Sequence, residues 1–192
     1  HFGGIDKFYS PYIRLNGKLE IKASYERDIL PENNTTLEVI PQIITNDADE
    51  FLFVAKYVQS LGYKELNWNL GCPYPMVAKC GMGSGLISNT ERIHSILDKV
   101  HSETNIVVSM KMRMGYENAA EILEVFPILE KYPIKNIAIH ARIGKQVYKG
   151  DVDLDSFQRC LDVSKHKLYY NGDITSVEKF REMQERFPSI DH

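Results

Sequence analysis

The stretch LNWNLGCPYPMVAKCGMGSGL, residues 66–86, shows how a strand ends in this chain. Apolar side chains alternate with two asparagines over residues 66–70, and this period of two predicts a β-strand. The segment Gly71-Cys72-Pro73 then breaks the alternation and predicts a loop. We therefore expect Cys72 at the carboxyl end of a strand, where a loop begins.

Strand-like and helix-like segments alternate outward from this stretch in both directions. The predicted strands cover residues 7–13, 37–44, 66–70, 105–112, 136–140 and 167–171. Capping signals and helical spacing predict helices over residues 46–62, 88–100, 117–131, 156–163 and 175–187. Pro127 is expected to kink or interrupt the third of these helices. Alternation of this kind favours a parallel sheet with helical crossovers.

Polar residues at the ends of the predicted strands distinguish two parallel-sheet folds. The residues concerned are Gln42, Asn69, Lys111, Arg113, His140, Asn171 and Asp173. In an eight-stranded barrel the carboxyl ends of the strands converge on one mouth, where active sites lie. In an open doubly wound sheet the same ends spread along an edge. Because these residues come from five different strands, we favour the (β/α)8 TIM barrel.

The composition is that of an ordinary globular chain. The 192 residues are 43% hydrophobic and 26% charged, with a net charge of −3, and no apolar run approaches the roughly 20 residues of a membrane span. Three cysteines without paired spacing argue against a zinc site and a disulfide framework. We expect no metal and a reducing, cytoplasmic location. Nucleic acid binding would require a local basic patch, because the overall charge does not favour it.

The residues around Cys72 leave two roles open for its thiol. A lone cysteine is usually a buried small apolar residue, but two prolines stiffen this loop at the proposed mouth, which suits a functional thiol. Cys80 and Cys160 fit the structural role, and Cys160 lies among apolar residues of a predicted helix. The glycine-rich segment 81–85 lacks the P-loop and dinucleotide spacings, so we expect a tight turn there.

Cationic and aromatic residues predict a ligand at the same mouth. Lys111 and Arg113 lie two apart on one strand, and parallel sheets are covered on both faces, so inward cations require an anionic partner. His140 ends a buried-looking strand, where a structural histidine is the usual outcome. The basic and aromatic loop that follows it suits a phosphate-bearing partner or an exposed base. Its residues are Arg142, Lys145, Tyr148 and Lys149.

Several blocks of the sequence, taken in order, resemble the signature of the tRNA-dihydrouridine synthases. They are IPQ at 40–42, NLGCPYP at 69–75 with GMG at 81–83, KMRMG at 111–115, HAR at 140–142, YKG at 148–150 and NGDI at 171–174. The resemblance spans nearly the whole chain. It implies a flavin-binding (β/α)8 barrel followed by a small helical domain.

The resemblance also implies that residues 1–192 form one partial catalytic domain, truncated to about strands two to seven of the barrel. The first strand is expected before His1, and the eighth strand and the helical domain after His192. Barrels of this kind run to about 250 residues, which agrees with a truncated chain. A fragment of this extent is expected to be inactive on its own.

Members of this family reduce the C5–C6 double bond of uridines in tRNA with FMN, and NADPH is the expected reductant. Reduced FMN delivers hydride to C6, and the resemblance makes Cys72 the acid that protonates C5. It implies Asn69 as a contact of the target base. The implied flavin contacts are Gln42, Lys111 and His140, with Asn171, Gly172 and Asp173 near the ribityl-phosphate tail. The residues implied for RNA contact are Arg113, Arg142, Tyr148 and Lys149, and Arg113 could equally face the flavin.

Two alternative functions stay open on the sequence. One is another flavin barrel that acts on a pyrimidine C5–C6 bond, such as a dihydroorotate dehydrogenase. The other is a non-catalytic barrel that binds RNA. The YKG block at 148–150 and the basic loop around it favour RNA over a free pyrimidine.

Overall fold

Parallel strands alternate with helices in the computed structural model of the chain, in which residues 7–190 are described. The strands are β1 Lys7–Tyr9, β2 Glu38–Ile40, β3 Gln42–Ile43, β4 Glu65–Leu70, β5 Val107–Arg113, β6 Ile137–His140 and β7 Leu168–Asn171. The α-helices are α1 Ala23–Ile29, α2 Ala48–Ser60, α3 Pro75–Ala78, α4 Thr90–Glu103, α5 Glu121–Leu129, α6 Leu154–Val163 and α7 Val177–Arg186. Short 3-10 turns cover Pro31–Asn33, Gly83–Leu86 and Gly144–Gln146.

The strands follow one another in space in the order in which they occur in the chain. Strands β3 to β7 form a parallel sheet, and β1 pairs in parallel with β2. Pro41, which has no N–H to donate, separates β2 from β3, yet its carbonyl accepts from the Asn67 N–H at 2.9 Å. A bridge between Ile13 and Ile43 continues the pairing past β1. The predicted segments 7–13 and 37–44 are therefore interrupted strands of one curved wall.

This arrangement confirms the predicted parallel α/β class. Apart from β2 and β3, which only Pro41 separates, each strand connects to the next through a crossover that contains a helix. Along the outer face α2 packs on α4, α4 on α5 and α5 on α6. Within residues 7–190 the wall is partial and does not close into a barrel. The carboxyl ends of the strands consequently line one concave edge.

Alternation along the strands separates an apolar outer layer from a polar inner face. On β4, Trp68 is fully buried and packs edge-on against Phe51 of α2, with ring centroids 5.2 Å apart. Met110 and Met112 of β5 are buried in the same core cluster. Because side chains alternate across a strand, the intervening polar residues of β4 and β5 face the concave side.

The predicted helix starts are largely found, with two differences. Asp47 caps α2 by accepting from the Asp49 and Glu50 N–H groups, and the Asn89 and Ser176 side chains cap α4 and α7. Helix α5 begins at Glu121 instead of residue 117, because the Glu121 carboxylate accepts three backbone N–H groups of the preceding loop. The sequence analysis predicted no helix at Ala23–Ile29. Among the described residues, no helix is long and apolar enough to cross a bilayer.

Candidate active site at the carboxyl ends of the strands

A cavity of about 320 Å³ opens at the carboxyl ends of the strands. The residues that line it are Tyr9, Tyr12, Gln42, Asn69, Gly71, Cys72, Pro73, Tyr74, Lys111, Arg113, His140 and Tyr148. Seven residues singled out in the sequence are among them. Arg142, Lys149 and residues 171–173 are not part of this lining. A larger cavity of about 720 Å³ lies at the opposite strand ends, around the Lys135–Glu65 ion pair.

The strand register brings the polar side chains into rows across the mouth. Asn69 of β4 lies opposite Lys111 of β5, and Arg113 lies opposite His140 of β6. His140 in turn lies opposite Asn171, the last residue of β7. Residues paired across neighbouring parallel strands lie on the same face of the sheet. The strand register therefore brings these polar side chains together.

A chain of amide hydrogen bonds crosses the floor of the mouth. The Asn69 Nδ2 donates to Gln42 Oε1 at 2.8 Å, and Gln42 Nε2 donates to Asn67 Oδ1 at 2.8 Å. Asn67 Nδ2 continues the chain to Ser109 Oγ at 2.9 Å. Asn67 and Ser109 were not among the candidate residues named from the sequence. The signal was available for Asn67, because it shares a strand face with Asn69 at a spacing of two.

Backbone contacts fix Cys72 at the end of β4. Asn69 Oδ1 accepts from the Gly71 N–H at 3.0 Å and the Cys72 N–H at 2.9 Å. The Ser84 N–H and hydroxyl both donate to the Cys72 carbonyl, each at 3.0 Å. The residue is 7% exposed and lines the cavity. Asn69 thus ties the thiol-bearing loop directly to the amide chain.

The glycine-rich segment supports Cys72 from behind. Residues 83–86 form a 3-10 turn, which agrees with the tight turn predicted there. Gly83 has a φ of +56°, and a Cβ atom at this position would lie 2.7 Å from the Cys72 carbonyl oxygen. Only glycine accommodates both the left-handed backbone and the close approach. The segment is therefore a packing support for the cysteine.

Tyr12 is a neighbour of Cys72 that sequence analysis did not identify. It lines the same cavity and packs against the small cluster of Ile44, Cys72, Val77 and Met82. Burial raises the pKa of the Tyr12 hydroxyl, and the adjacent Cys72 raises it further. No local pattern distinguished this tyrosine from the others in the chain.

Lys111 carries a partly buried ammonium group beside another cation. Burial, with a smaller contribution from Arg113, lowers the pKa of Lys111 from 10.5 to about 8. Within the part of the chain that the structure describes, no carboxylate forms an ion pair with this lysine. Inward-facing cations were expected to need an anionic partner. For Lys111, the described residues of the protein do not supply one.

Arg113 is held by the backbone and by an aromatic ring. Its Nε donates to the Gly71 carbonyl at 3.1 Å and its Nη1 to the Ile143 carbonyl at 3.0 Å. Its guanidinium carbon lies 5.3 Å from the centre of the Tyr148 ring, a cation–π distance. At 1% exposure, Arg113 links the β4 and β6 loops and orients Tyr148, which is itself 62% exposed.

His140 and Arg142 form a second polar group at the end of β6. Arg142 Nη1 donates to His140 Nε2 at 3.0 Å and to Asp173 Oδ1 at 2.8 Å. Burial and the cations Arg113, Lys111 and Arg142 lower the pKa of His140 to about 4. The imidazole is therefore neutral at physiological pH. The Arg142 guanidinium lowers the pKa of Asp173 in turn.

The chain matches a protein-family sequence model over nearly its whole length. A sequence model described as dihydrouridine synthase (Dus) matches residues 6–187. The match covers β1 to α7 and includes every residue of the mouth. It agrees with the fold expected from the sequence blocks.

Curated relatives are similar over most of the chain. A tRNA-dihydrouridine synthase B from Pseudomonas putida is 31% identical over 145 residues, which is 75% of this chain and 43% of the relative. A tRNA-dihydrouridine(16) synthase from the same species is 28% identical over 191 residues, which is 95% of this chain and 59% of the relative. The chain therefore spans about half the length of the curated relatives it matches.

Proposed function

Because the chain belongs to the dihydrouridine synthase family, we propose that its protein reduces uridine to 5,6-dihydrouridine in tRNA. FMN is the proposed cofactor, NADPH its reductant, and the cytoplasm the expected location. The observation that carries the proposal is the placement of Cys72, a thiol fixed by Asn69 at a cavity that Lys111 also lines. Within residues 7–190 the Lys111 ammonium has no carboxylate partner.

The mouth has groups that fit the ring of a flavin. A flavin ring presents carbonyl and ring nitrogen atoms along one edge and takes up negative charge when it is reduced. Lys111 supplies a cation that has no counter-ion among the residues that the structure describes, and Gln42 and His140 supply hydrogen-bonding groups from β3 and β6. We assign these three residues to the flavin ring. Residues 171–173 are assigned to its ribityl-phosphate tail because they lie at the carboxyl end of β7, next to β6.

When bound, the flavin supplies the hydride that reaches C6 of the uridine. The Cys72 thiol gives its proton to C5, and the resulting thiolate recovers a proton from solvent. Asn69 orients this acid through the Cys72 N–H and contacts the target base. Proton donation from a fixed side chain is typical general acid catalysis. The target base must leave its stack to reach the cavity.

The RNA-facing side of the mouth is proposed to include Tyr148 and Lys149. Both are exposed, and Tyr148 borders the cavity. An exposed aromatic ring beside a cation can stack on a nucleobase while the cation meets a phosphate. Arg113 contacts Tyr148 from below and so holds this ring in place. Arg142 was expected to contact RNA as well, but its N–H groups are engaged within the protein.

The decisive experiment separates the two half-reactions in the full-length protein. We predict that Cys72→Ala leaves FMN binding and its reduction by NADPH nearly unchanged, because neither step uses the thiol proton. Dihydrouridine formation on unmodified tRNA should fall by about 10²- to 10⁴-fold, the usual loss for a general acid. Stopped-flow absorbance follows the flavin, and mass spectrometry of digested tRNA follows the product.

Cys80→Ala is the matched control, because Cys80 is exposed and does not line the cavity. It should retain full activity in both half-reactions. Undiminished tRNA reduction by Cys72→Ala would remove the thiol from the mechanism. Turnover of dihydroorotate in place of tRNA would assign the protein to a different flavin-barrel reaction. A full-length protein without a flavin absorbance band would point to the non-catalytic alternative.

A further inference from the structure

Arg142 has no N–H group left for an external ligand. Its Nε donates to the Gly150 carbonyl at 3.2 Å, and its Nη2 donates to the same oxygen at 2.7 Å and to Asp173 Oδ2. Its Nη1 donates to His140 Nε2 and to Asp173 Oδ1. These contacts use all five donors of a guanidinium. The side chain is 5% exposed, so it is an internal element of the mouth.

The partners of Arg142 belong to three separate pieces of backbone. His140 ends β6, Gly150 lies in the following loop, and Asp173 lies just after β7. A bidentate guanidinium–carboxylate pair fixes both direction and distance, which a lysine cannot do. Arg142 therefore holds the loops after β6 and β7 in one arrangement around the imidazole.

Close packing on the other side of the imidazole limits its freedom. Gly172 has a φ of +125°, and a Cβ atom there would lie 2.9 Å from His140 Cδ2 and 3.2 Å from Nε2. Asp173 also has a positive φ, 52°, in the left-handed region that is unfavourable for most residues with a side chain. This unfavourable backbone is held by the pairing with Arg142. The Nε2 edge of the ring is thus enclosed between Arg142 and Gly172.

We infer that Arg142, which Asp173 and the Gly150 carbonyl hold in place, is a positioning residue that keeps His140 as the neutral tautomer with its proton on Nδ1. A guanidinium can only donate, so the Nε2 atom that it contacts must accept and cannot carry a proton. Nδ1 then becomes the donor of the ring, at a residue that lines the cavity. The ring is offered to a ligand as a fixed N–H donor, suited to a carbonyl oxygen or an unprotonated ring nitrogen. That the ligand is FMN rests on the proposed function, whereas the tautomer does not.

Histidine ¹⁵N chemical shifts of the full-length protein test this inference directly. Protonated and unprotonated ring nitrogens have different shifts, and His140→Gln assigns the signal. We expect wild-type His140 to show a protonated Nδ1 and an unprotonated Nε2 at neutral pH. The ring should stay neutral well below pH 6, because burial and the cations Arg113, Lys111 and Arg142 oppose its protonation more strongly than Asp173 favours it. A protonated Nε2 in the wild-type protein would overturn the inference without any variant of Arg142.

Arg142→Lys and Asp173→Asn separate positioning from simple stabilisation. Lysine keeps the positive charge but lacks the planar, two-pronged guanidinium, so the Nε2-protonated tautomer of His140 should appear. FMN should then bind about tenfold more weakly, as expected for one misplaced hydrogen bond. Asp173→Asn removes the carboxylate but leaves the Gly150 contact to hold Arg142, so it should lower the melting temperature and keep the wild-type tautomer.

Arg186→Lys is the control, because Arg186 forms an Arg–Asp pair with Asp155 on the surface. It should change neither the His140 shifts nor FMN binding. A lower melting temperature for Arg142→Lys with unchanged His140 shifts would make the pair purely structural and overturn the inference. If the wild-type protein bound no FMN, the proposed function would fail, while the tautomer measurement would still decide the role of Arg142.

Discussion

Replacing Lys111 with methionine should stabilise the flavin-free protein while it impairs the flavin reaction. Lys111 is enclosed on the concave side of β5, where burial and the neighbouring Arg113 oppose its charge. Methionine has a similar length and no charge to desolvate, so it removes this cost and keeps the packing. A stabilising substitution at a polar position is the expected sign of a site arranged for a ligand.

The size of the effect follows from the pKa of Lys111. A value of about 8 in the folded protein, against an ordinary 10.5, corresponds to about 3 kcal/mol at neutral pH, since a tenfold change in proton affinity is worth about 1.4 kcal/mol. The unfolded chain binds this proton more tightly than the folded protein does. Wild-type stability therefore rises with pH between about 8 and 10.5, as the folded-state penalty is released.

The gain from Lys111→Met should consequently depend on pH. It should be about 3 kcal/mol near pH 7 and fall to about 1 kcal/mol near pH 9.5. Urea unfolding of the flavin-free, full-length protein at several pH values measures both quantities. Lys131→Met is the control, because Lys131 is exposed and its replacement should change stability little at either pH. A gain that is absent, or the same at both pH values, would refute this account of Lys111.

The flavin supplies the second half of the same test. Reduction of bound FMN by NADPH should be slower in Lys111→Met, because the negative charge that develops on the ring loses the cation that we assign to it. Stopped-flow absorbance gives the rate under saturating FMN. If reduction proceeded at the wild-type rate, Lys111 would have no part in stabilising the reduced flavin, even if the stability prediction held.

Two further predictions concern packing and the sheet edges. Gly83→Ala should destabilise the protein by more than the roughly 1–2 kcal/mol of a left-handed alanine, because its Cβ would also meet Cys72. Gly17→Ala is the control: at a φ of +81° with open space around it, it should show the backbone cost alone. Equal losses of unfolding free energy in urea for the two variants would contradict the close approach at Gly83. The isolated 192-residue chain should be inactive and should self-associate. Within the described residues β1 and β7 each pair on one side only, and open strand edges recruit other chains. A stable monomer in light scattering would contradict the predicted self-association.

The fold and the placement of the site were predictable because they depend on short-range patterns. A period of two identified residues 66–70 as a strand, and the structure has this strand at Glu65–Leu70. The start of α2 was equally visible, because a helix was expected from residue 46 and its cap, Asp47, is a local hydrogen bond. The convergence of polar residues then followed from the barrel rule that strands end at one mouth.

The partners of each polar residue were not predictable, because they come from distant parts of the chain. From the sequence, Arg142 was one of several cations in a predicted basic loop, and no local sequence pattern distinguished it from Lys149. Its carboxylate partner, Asp173, follows the next strand, and the pair depends on the β6–β7 register. Sequence patterns identify which residues lie at the mouth. Only the three-dimensional contacts show which of them remain free for a ligand.

The three cations at the mouth differ in how their charge is compensated, and this difference identifies where a ligand is needed. Arg113 has two backbone carbonyls and the Tyr148 ring, and Arg142 has Asp173 and a carbonyl. Among residues 7–190, Lys111 has no such partner. A ligand that places negative charge next to Lys111 would raise the pKa of this lysine toward its ordinary value and offset the stability that the partly buried charge costs. The same ammonium group therefore destabilises the empty site and strengthens binding in the occupied one, so its stability cost and its proposed role in flavin chemistry have one physical cause.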